Sequence, residues 1–198
     1  MIERHNMKKL KEIIEIVSGS PQFRIKETFD DFAPIYVYYG QSEIEDDLVD
    51  MNLNKNEDKK VRTLDDVITV NEGDVVFSLV SGKATLVRKA HQGYLLTQNY
   101  VTFNLNHKID AKYFIYLLNE DDSIKKQLKM SLQGSNVLKY TLKQVRELEL
   151  PKTIAHANQK LIGEVYFNQI RLQALKQQAA LLETTYILEK IKKVENNE

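Results

Sequence analysis

The pattern of apolar and polar positions predicts a mixed domain followed by one long helix. Residues 7–17 ("MKKLKEIIEIV") repeat apolar positions at helical spacing, whereas residues 34–40 ("PIYVYYG") have the β-branched and aromatic composition of a strand. Residues 42–60 are polar and weakly periodic, so we expect an extended surface loop there. From 61 to 106, short β-type runs alternate with Gly, Asn and Ser, which predicts several strands joined by turns.

Helical spacing returns after these strands. Asp110 stands where an N-cap is expected, and Tyr113, Phe114 and Leu117 would share one face of the helix that follows. The polar run "NEDDS" (119–123) interrupts this pattern before a second helical stretch.

The segment before Pro151 predicts a turn, a short strand, one helical turn and an edge strand. "GSN" (134–136) and "VLKY" (137–140) supply the turn and the strand, and Thr141 with Gln144 resembles a capping box. A strand that ends in Pro is tolerated at a sheet edge. We therefore predict an α+β fold for residues 1–152, an α/β-type domain with a mostly antiparallel sheet.

The remaining segment, 153–198, is predicted to be a long C-terminal α-helix that forms a coiled coil. From about Ala155 to Lys193 it has no Pro and a single Gly, so the helix would be roughly 50–55 Å long. A second apolar line (Ile162, Tyr166, Ile170, Leu181) widens the apolar face, so we expect partner helices. The main line follows the a/d spacing of a coiled coil, with one polar position, and consists of Leu161, Val165, Asn168, Leu172, Leu175, Ala179, Leu182 and Tyr186.

Charge changes the picture because it is balanced in total and uneven along the chain. The protein has 28 Lys and Arg against 28 Asp and Glu. Residues 27–74 hold fourteen acids and four bases, whereas residues 75–146 hold eleven bases and four acids. This asymmetry favours a basic face that binds nucleic acid. The alternative is that acidic loops and a basic sheet neutralise each other within the fold.

The residues give no indication of an active site, a cofactor or a metal. The sequence has no Cys, its four His lack helical pairing, and Gly-rich phosphate loops and nucleophile elbows are absent. "EDK" (57–59), preceded by Asp46, Asp47 and Asp50, faintly resembles the carboxylates of a nuclease, but its polar context predicts a solvated loop. The lack of Cys fits a cytoplasmic compartment, and the N-terminus resembles neither a signal peptide nor a membrane span.

Several stretches follow one another in an order that resembles the specificity (S) subunit of type I restriction–modification systems. They are "VNEGDVVFSLVSGKATLV", "GYLLTQNYVTFNL", "DAKYFIYLLN", "LQGSNVLKYTLKQVRELELP" and "ANQKLIGEVYFNQI". The matching elements are Gly73-Asp74, Tyr113 to Leu118, Gly134, Leu142 to Leu148, Pro151 and Gln159. The resemblance covers residues 7–185, and the order and spacing of the motifs carry it. "HANQ" departs from the Glu-Gln that the family often has at this point.

The resemblance implies a function without catalysis. Residues 1–152 would be a target recognition domain that binds double-stranded DNA. Residues 153–198 would be a helical spacer that docks DNA methyltransferase (M) subunits and, through them, restriction (R) subunits. A full S subunit has two recognition domains and two spacers in about twice this length, so the chain resembles a half-length form. We therefore expect two copies to pair through their helices.

Phosphate contacts should come from the basic half of the chain, and base contacts from hydrogen-bonding side chains on loops. For Lys139 and Lys143, a solvated position without a phosphate contact explains the sequence equally well. For Tyr36 and Tyr38, packing against the neighbouring strand explains it equally well. The phosphate candidates are Lys83, Arg88, Lys89, Lys139 and Lys143. The base-reading candidates are Gln22, Arg24, Tyr36, Tyr38, Tyr39, Gln41, Ser42, Gln98, Asn99, Ser135 and Asn136.

Two alternatives remain open at this stage. The chain could be a coiled-coil interaction protein whose globular domain binds protein, in which case dimerisation would be insensitive to salt and DNA would not bind. It could also be an endonuclease that uses the "EDK" carboxylates, which would require Mg²⁺-dependent cleavage by the isolated chain.

Overall fold

The computed structural model describes residues 9–53, 58–105, 107, 109–132, 139–152 and 154–195. The predicted α+β class is confirmed. The strands in these ranges are β1 (Glu15–Ser18), β2 (Ile35–Tyr39), β3 (Lys60–Arg62), β4 (Val75–Ser78), β5 (Ala84–Leu86), β6 (Leu95–Leu96) and β7 (Tyr100–Asn104). The helices are α1 (Leu10–Ile13), α2 (Gln41–Val49), α3 (Ala111–Glu120), α4 (Asp122–Ser131), α5 (Leu142–Arg146) and α6 (His156–Glu195), with 3₁₀ turns at Gln22–Arg24 and Lys89–His91.

The strands form two small sheets. One has the order β1-β7-β4-β5 and is antiparallel throughout. The other has the order β3-β2-β6, in which β2 pairs antiparallel with β3 and parallel with β6. The predicted mostly antiparallel sheet is therefore confirmed.

The central strand β4 is buried on both faces, and its side chains enter two different cores. Val75 and Phe77 point to the large core, in which Phe103 meets Phe114 of α3 edge to face at 5.1 Å. Val76, between them, points to the small core, which also contains Tyr39, Ile44, Val70, Val87, Leu96 and Tyr100. The four-stranded sheet therefore separates a large core, which contains α3 and α4, from a small core, which contains residues of β2 and α2; Leu48 of α2 also packs against the large core.

Helix α3 agrees with its sequence pattern. The Asp110 carboxylate accepts a hydrogen bond from the Tyr113 amide at 2.9 Å, and Tyr113, Phe114 and Leu117 are buried, as predicted. The capping box at α5 is also confirmed, because Thr141 and Gln144 exchange side-chain to backbone hydrogen bonds. The predicted turn at 134–136 and half of the strand predicted at 137–140 lie outside the described residues, and Lys139 and Tyr140 are not in a strand.

Two predictions made from periodicity are wrong. The helix predicted over residues 7–17 ends at Ile13, and the β-branched residues after it form β1, which pairs with β7. The loop predicted over residues 42–60 begins instead with helix α2. Gly40 caps this helix, and its amide donates to Glu43 Oε2 at 2.7 Å. Ile44 is fully buried in the small core and anchors the helix.

The predicted long helix is confirmed as α6, which has 40 residues and a length of roughly 60 Å. Its first half packs on α3, where Gly163 allows close contact. A Cβ at this position would lie 2.7 Å from both the Lys112 Cβ and the Tyr113 amide nitrogen. Buried Gln159 accepts a hydrogen bond from the Asp110 amide at 3.0 Å, which joins the start of α6 to the start of α3. From 175 to 195 every residue of α6 is exposed.

Candidate nucleic-acid interface

Several predicted base-reading residues meet at a polar cavity of about 550 Å³. We use "polar cavity" for the space bordered by Tyr38, Gln41, Ser42, Lys59, His91 and Tyr94 together with Glu43, Asp46, Asn52 and Asp58. The Lys59 ammonium lies 5.3 Å from the Tyr38 ring centroid. Gln22 joins this group through a side-chain hydrogen bond with Tyr38. Four candidates from the sequence, Gln22, Tyr38, Gln41 and Ser42, are therefore neighbours.

The local sequence explains this placement. Strand β2 stops at Tyr39, and the Gly40 cap turns the chain directly into α2, so Gln41 and Ser42 occupy the first turn of a helix. Because side chains alternate along a strand, Tyr38 borders the polar cavity while Tyr39 points inward. Partial burial, followed by the nearby Glu27 charge, raises the pKa of the Tyr38 hydroxyl. This hydroxyl therefore stays neutral and can both donate and accept a hydrogen bond.

Tyr39 is buried, whereas the prediction placed it on the surface as a base-reading residue. The residue is 1% exposed, and its hydroxyl donates to Asp47 Oδ2 at 2.7 Å. Burial raises the pKa of the Tyr39 hydroxyl well above its usual range, and the charge of Asp47 acts in the same direction. Tyr39 is part of the small core that supports the polar cavity.

Asp47 connects three parts of the chain below the cavity. Its side chain is fully buried, and Oδ1 accepts from Arg88 Nε at 2.8 Å and lies 2.7 Å from His91 Nδ1. The predicted solvated position of Asp46 and Asp47 is therefore wrong, because both are buried. Arg88 is also removed from the phosphate candidates, since its guanidinium binds buried Asp47 and also donates to Asn52. Within the described residues, no group of three or more His, Asp or Glu is arranged to hold a metal ion.

A second group of candidates lies at the turn between β4 and β5. Lys139 Nζ donates a hydrogen bond to Asn99 Oδ1 at 2.6 Å, and the backbone N–H of Gln98 donates to the Ser20 carbonyl at 2.9 Å. Exposed Lys83 belongs to the same end, because its carbonyl accepts from the Ser78 amide in this turn. Exposed Lys89, like Arg88, follows β5 and so lies at the opposite end of that strand. The predicted contacts Ser135 and Asn136 lie outside the described residues.

Exposed aromatic residues were missed by the sequence analysis. Gln22, Phe23 and Arg24 are all exposed on the first 3₁₀ turn, where the Arg24 guanidinium lies 5.5 Å from the Phe23 ring centroid. Phe29 and Phe32 are 98% and 97% exposed and flank Asp30 and Asp31. The sequence does contain a signal for the two Phe, because both stand in the acidic run "ETFDDF" (27–32). This run has neither helical nor strand periodicity, so no apolar face is formed that would bury them.

The predicted helical seam is exposed along its length. Leu161, Val165, Leu172, Leu175, Leu182 and Tyr186 are between 45% and 63% exposed, and Asn168 and Ala179 are exposed as well. The second apolar line behaves differently from the prediction. Ile162 and Tyr166 pack against the large core, so this part of the line meets the chain's own domain. The apolar face of α6 is thus divided between the domain and a free seam.

No described helix combines the length and the apolar content that crossing a membrane requires.

Comparison with known proteins gives a family and a fold. The family model described as type I restriction modification DNA specificity domain matches residues 3–184. The structure is similar to that of the type I restriction–modification S subunit from M. genitalium, with 16% identity and a TM-score of 0.53, over 96% of this chain and 46% of that one. No match to the sequence was found among curated proteins.

Two further solved structures give the same result. The HsdS subunit from Thermoanaerobacter tengcongensis has 15% identity and a TM-score of 0.56, over 96% of this chain and 43% of that one. A chain from a structure on complex assembly and conformational transition of the type I R-M system has 15% identity and a TM-score of 0.57, with coverages of 96% and 46%. The chain therefore spans less than half the length of each of these relatives, and the likeness concerns the fold.

Proposed function

The chain belongs to the family of type I restriction–modification DNA specificity domains, and from this premise we propose that it selects the half-site at which a type I methyltransferase acts. The family match carries the proposal. The combination of a globular domain with a long helix whose apolar seam is exposed supports it. The domain, which we assign to residues 1–152, would recognise double-stranded DNA, and the helix, over residues 153–198, would join it to its partners.

The DNA surface would include the polar cavity and the end of the sheet that carries Gln98, Asn99 and Lys139. Base edges in the major groove present hydrogen-bond donors and acceptors, and the cavity offers both. Lys83, Lys89 and Lys139 would contribute phosphate contacts, each of which adds to the salt dependence of binding.

Catalysis would reside in other chains. The proposal gives methylation to M subunits that dock on α6 and cleavage to R subunits that bind through M. S-adenosylmethionine and ATP would then bind these partners. Specific methylation or cleavage by the purified chain alone would contradict this division.

Two copies of the chain would pair through antiparallel α6 helices. The seam from Leu161 to Leu182 is centred near Arg171 and Leu172, so an antiparallel register covers most of it in a two-fold contact. Asn168 would fix this register, as single polar positions do in coiled coils. Two identical domains related by a two-fold axis read inverted copies of one half-site, so the target would be an interrupted palindrome.

The alternative function is a coiled-coil interaction protein whose domain binds protein. Exposed Phe29 and Phe32 favour it, because large exposed apolar side chains suit contact with a protein partner. The test is binding of a DNA library by the chain, alone and assembled with M subunits, at increasing salt. We expect selection of one bipartite sequence and a steep loss of affinity with salt. Salt-insensitive dimers without DNA binding would favour the alternative.

A further inference from the structure

His91 combines three features that together indicate a role in base reading. It borders the polar cavity, it is 8% exposed, and its Nδ1 lies 2.7 Å from Asp47 Oδ1. In the part of the chain that the structure describes, the other ring nitrogen, Nε2, makes no hydrogen bond. Because Nδ1 is occupied by buried Asp47, Nε2 is the ring nitrogen with which His91 would meet a group that enters the cavity.

The hydrogen bond to Asp47 fixes which nitrogen carries the proton. A carboxylate only accepts hydrogen bonds, so the His91 nitrogen that faces it must be the donor. Tyr39 and Arg88 donate to the same carboxylate at 2.7 and 2.8 Å, which holds its orientation. In its neutral form the imidazole therefore has its proton on Nδ1 and a lone pair on Nε2, as in a metal-ligating histidine oriented by a carboxylate.

The surroundings of Nε2 are rich in acceptors. Glu43, Asp46 and Asp58 border the same cavity, and the Tyr94 ring lies 5.1 Å from the His91 ring, centroid to centroid. In the major groove the base groups that donate are the N6 amino group of adenine and the N4 amino group of cytosine. The keto oxygens of guanine and thymine would face lone pairs and would be rejected.

We propose that His91 is a specificity-determining residue whose Nε2 accepts a hydrogen bond from the exocyclic amino group of one adenine or cytosine in each half-site. Asp47 is its positioning residue. The inference rests on the proposed function, since it names the chemical group that the recognition domain selects.

A base-analogue scan tests the proposal. Once the target sequence is known from mapping of methylated sites, each adenine of the half-site is replaced by purine and each cytosine by 2-pyrimidinone, which lack the amino group. Affinity of the chain assembled with M subunits is measured for the wild type and for His91→Phe. At one position, loss of the amino group should weaken wild-type binding about tenfold and leave His91→Phe binding unchanged. An adenine position would identify N6, and a cytosine position would identify N4.

The matched control is His107→Phe, the same substitution at an exposed histidine that does not border the polar cavity. This variant should keep the wild-type response to every analogue. If His91→Phe loses affinity equally for all duplexes, or if no analogue position couples to His91, the proposal is overturned.

A measurement without substitution covers the case in which His91→Phe does not fold. In side-chain ¹⁵N spectra, Nε2 of His91 should have the shift of a non-protonated imidazole nitrogen and should move when cognate duplex binds. It should move less with the duplex that lacks the critical amino group. A protonated Nε2, or equal movement with both duplexes, would contradict the proposal. A wild-type complex with no sequence preference would refute the proposed function as well.

Discussion

The double variant Leu172→Arg with Leu175→Glu should break the dimer that we propose. Both leucines are 45% exposed in the single chain, so covering them gains roughly 0.7–1.4 kcal/mol per side chain, about half of the value for full burial. Four such side chains meet in a two-fold dimer. The loss is therefore roughly 3–6 kcal/mol, which raises the dissociation constant about 10²–10⁴-fold. Unpaired charges in the contact increase this loss.

Sedimentation equilibrium of the wild type and the double variant over a range of concentrations measures the two dissociation constants. Circular dichroism checks that the helix and the domain of the variant remain folded. The control is Leu181→Arg, which places a charge on the same exposed part of α6 but outside the seam. It should leave the dimer intact. A wild-type monomer, or equal dissociation constants for the wild type and the double variant, would refute the seam as the contact between copies.

Three further predictions concern DNA, packing and pH. Replacing Lys83, Lys89 and Lys139 together by Ala should weaken DNA binding at every sequence and lower the magnitude of the slope of log K against log[salt] by up to about 2–3. The slope is measured by filter-binding titrations, and an unchanged slope would place the phosphate contacts elsewhere. Gly163→Ala should lower the thermal midpoint, because its Cβ would overlap α3 and cost roughly 1–3 kcal/mol, and an unchanged midpoint would contradict this close packing. Hydrogen bonds from Lys11 and Lys9 lower the pKa of Glu147 to about 2. The charged Glu147 carboxylate therefore contributes its full share of the folding stability above its ordinary pKa, and this contribution is lost as the pH falls toward 2. Glu147→Gln should make urea stability less dependent on pH between about 4.5 and 2, and an identical pH dependence would show that the pairs contribute nothing in solution.

Periodicity predicted the helices that bury a continuous apolar face. In α3, three apolar residues on one face enter the large core, and α6 has no Pro and a regular a/d line, so local sequence defines both helices. Helix α2 could not be predicted in this way. Its polar face contains Asp46 and Asp47, which are buried because Arg88 and His91 reach Asp47 from more than forty residues away.

The candidate site could be predicted only in part, because its residues also depend on partners that are distant in the sequence. Strand alternation says that Tyr38 and Tyr39 point to opposite sides, but it does not say which side meets α2. Arg88 has the composition of a phosphate ligand, and its buried carboxylate partner is distant in the sequence. The apolar residues of α6 could be identified from spacing, but their division between the domain and a free seam depends on the contact at Gly163.

The separation of the two cores by the four-stranded sheet has a consequence for engineering new specificities. The polar cavity is built on the small core, whereas α6 packs mainly on the large core through α3 and reaches the end of α2 only through residues such as Arg171, which pairs with Asp50. Substitutions at distant sites without shared partners act nearly independently on stability. Libraries that vary Gln41, Ser42 and Tyr94 but keep Asp50, which joins the end of α2 to α6, should therefore search for new target sequences with little effect on the helix and its seam.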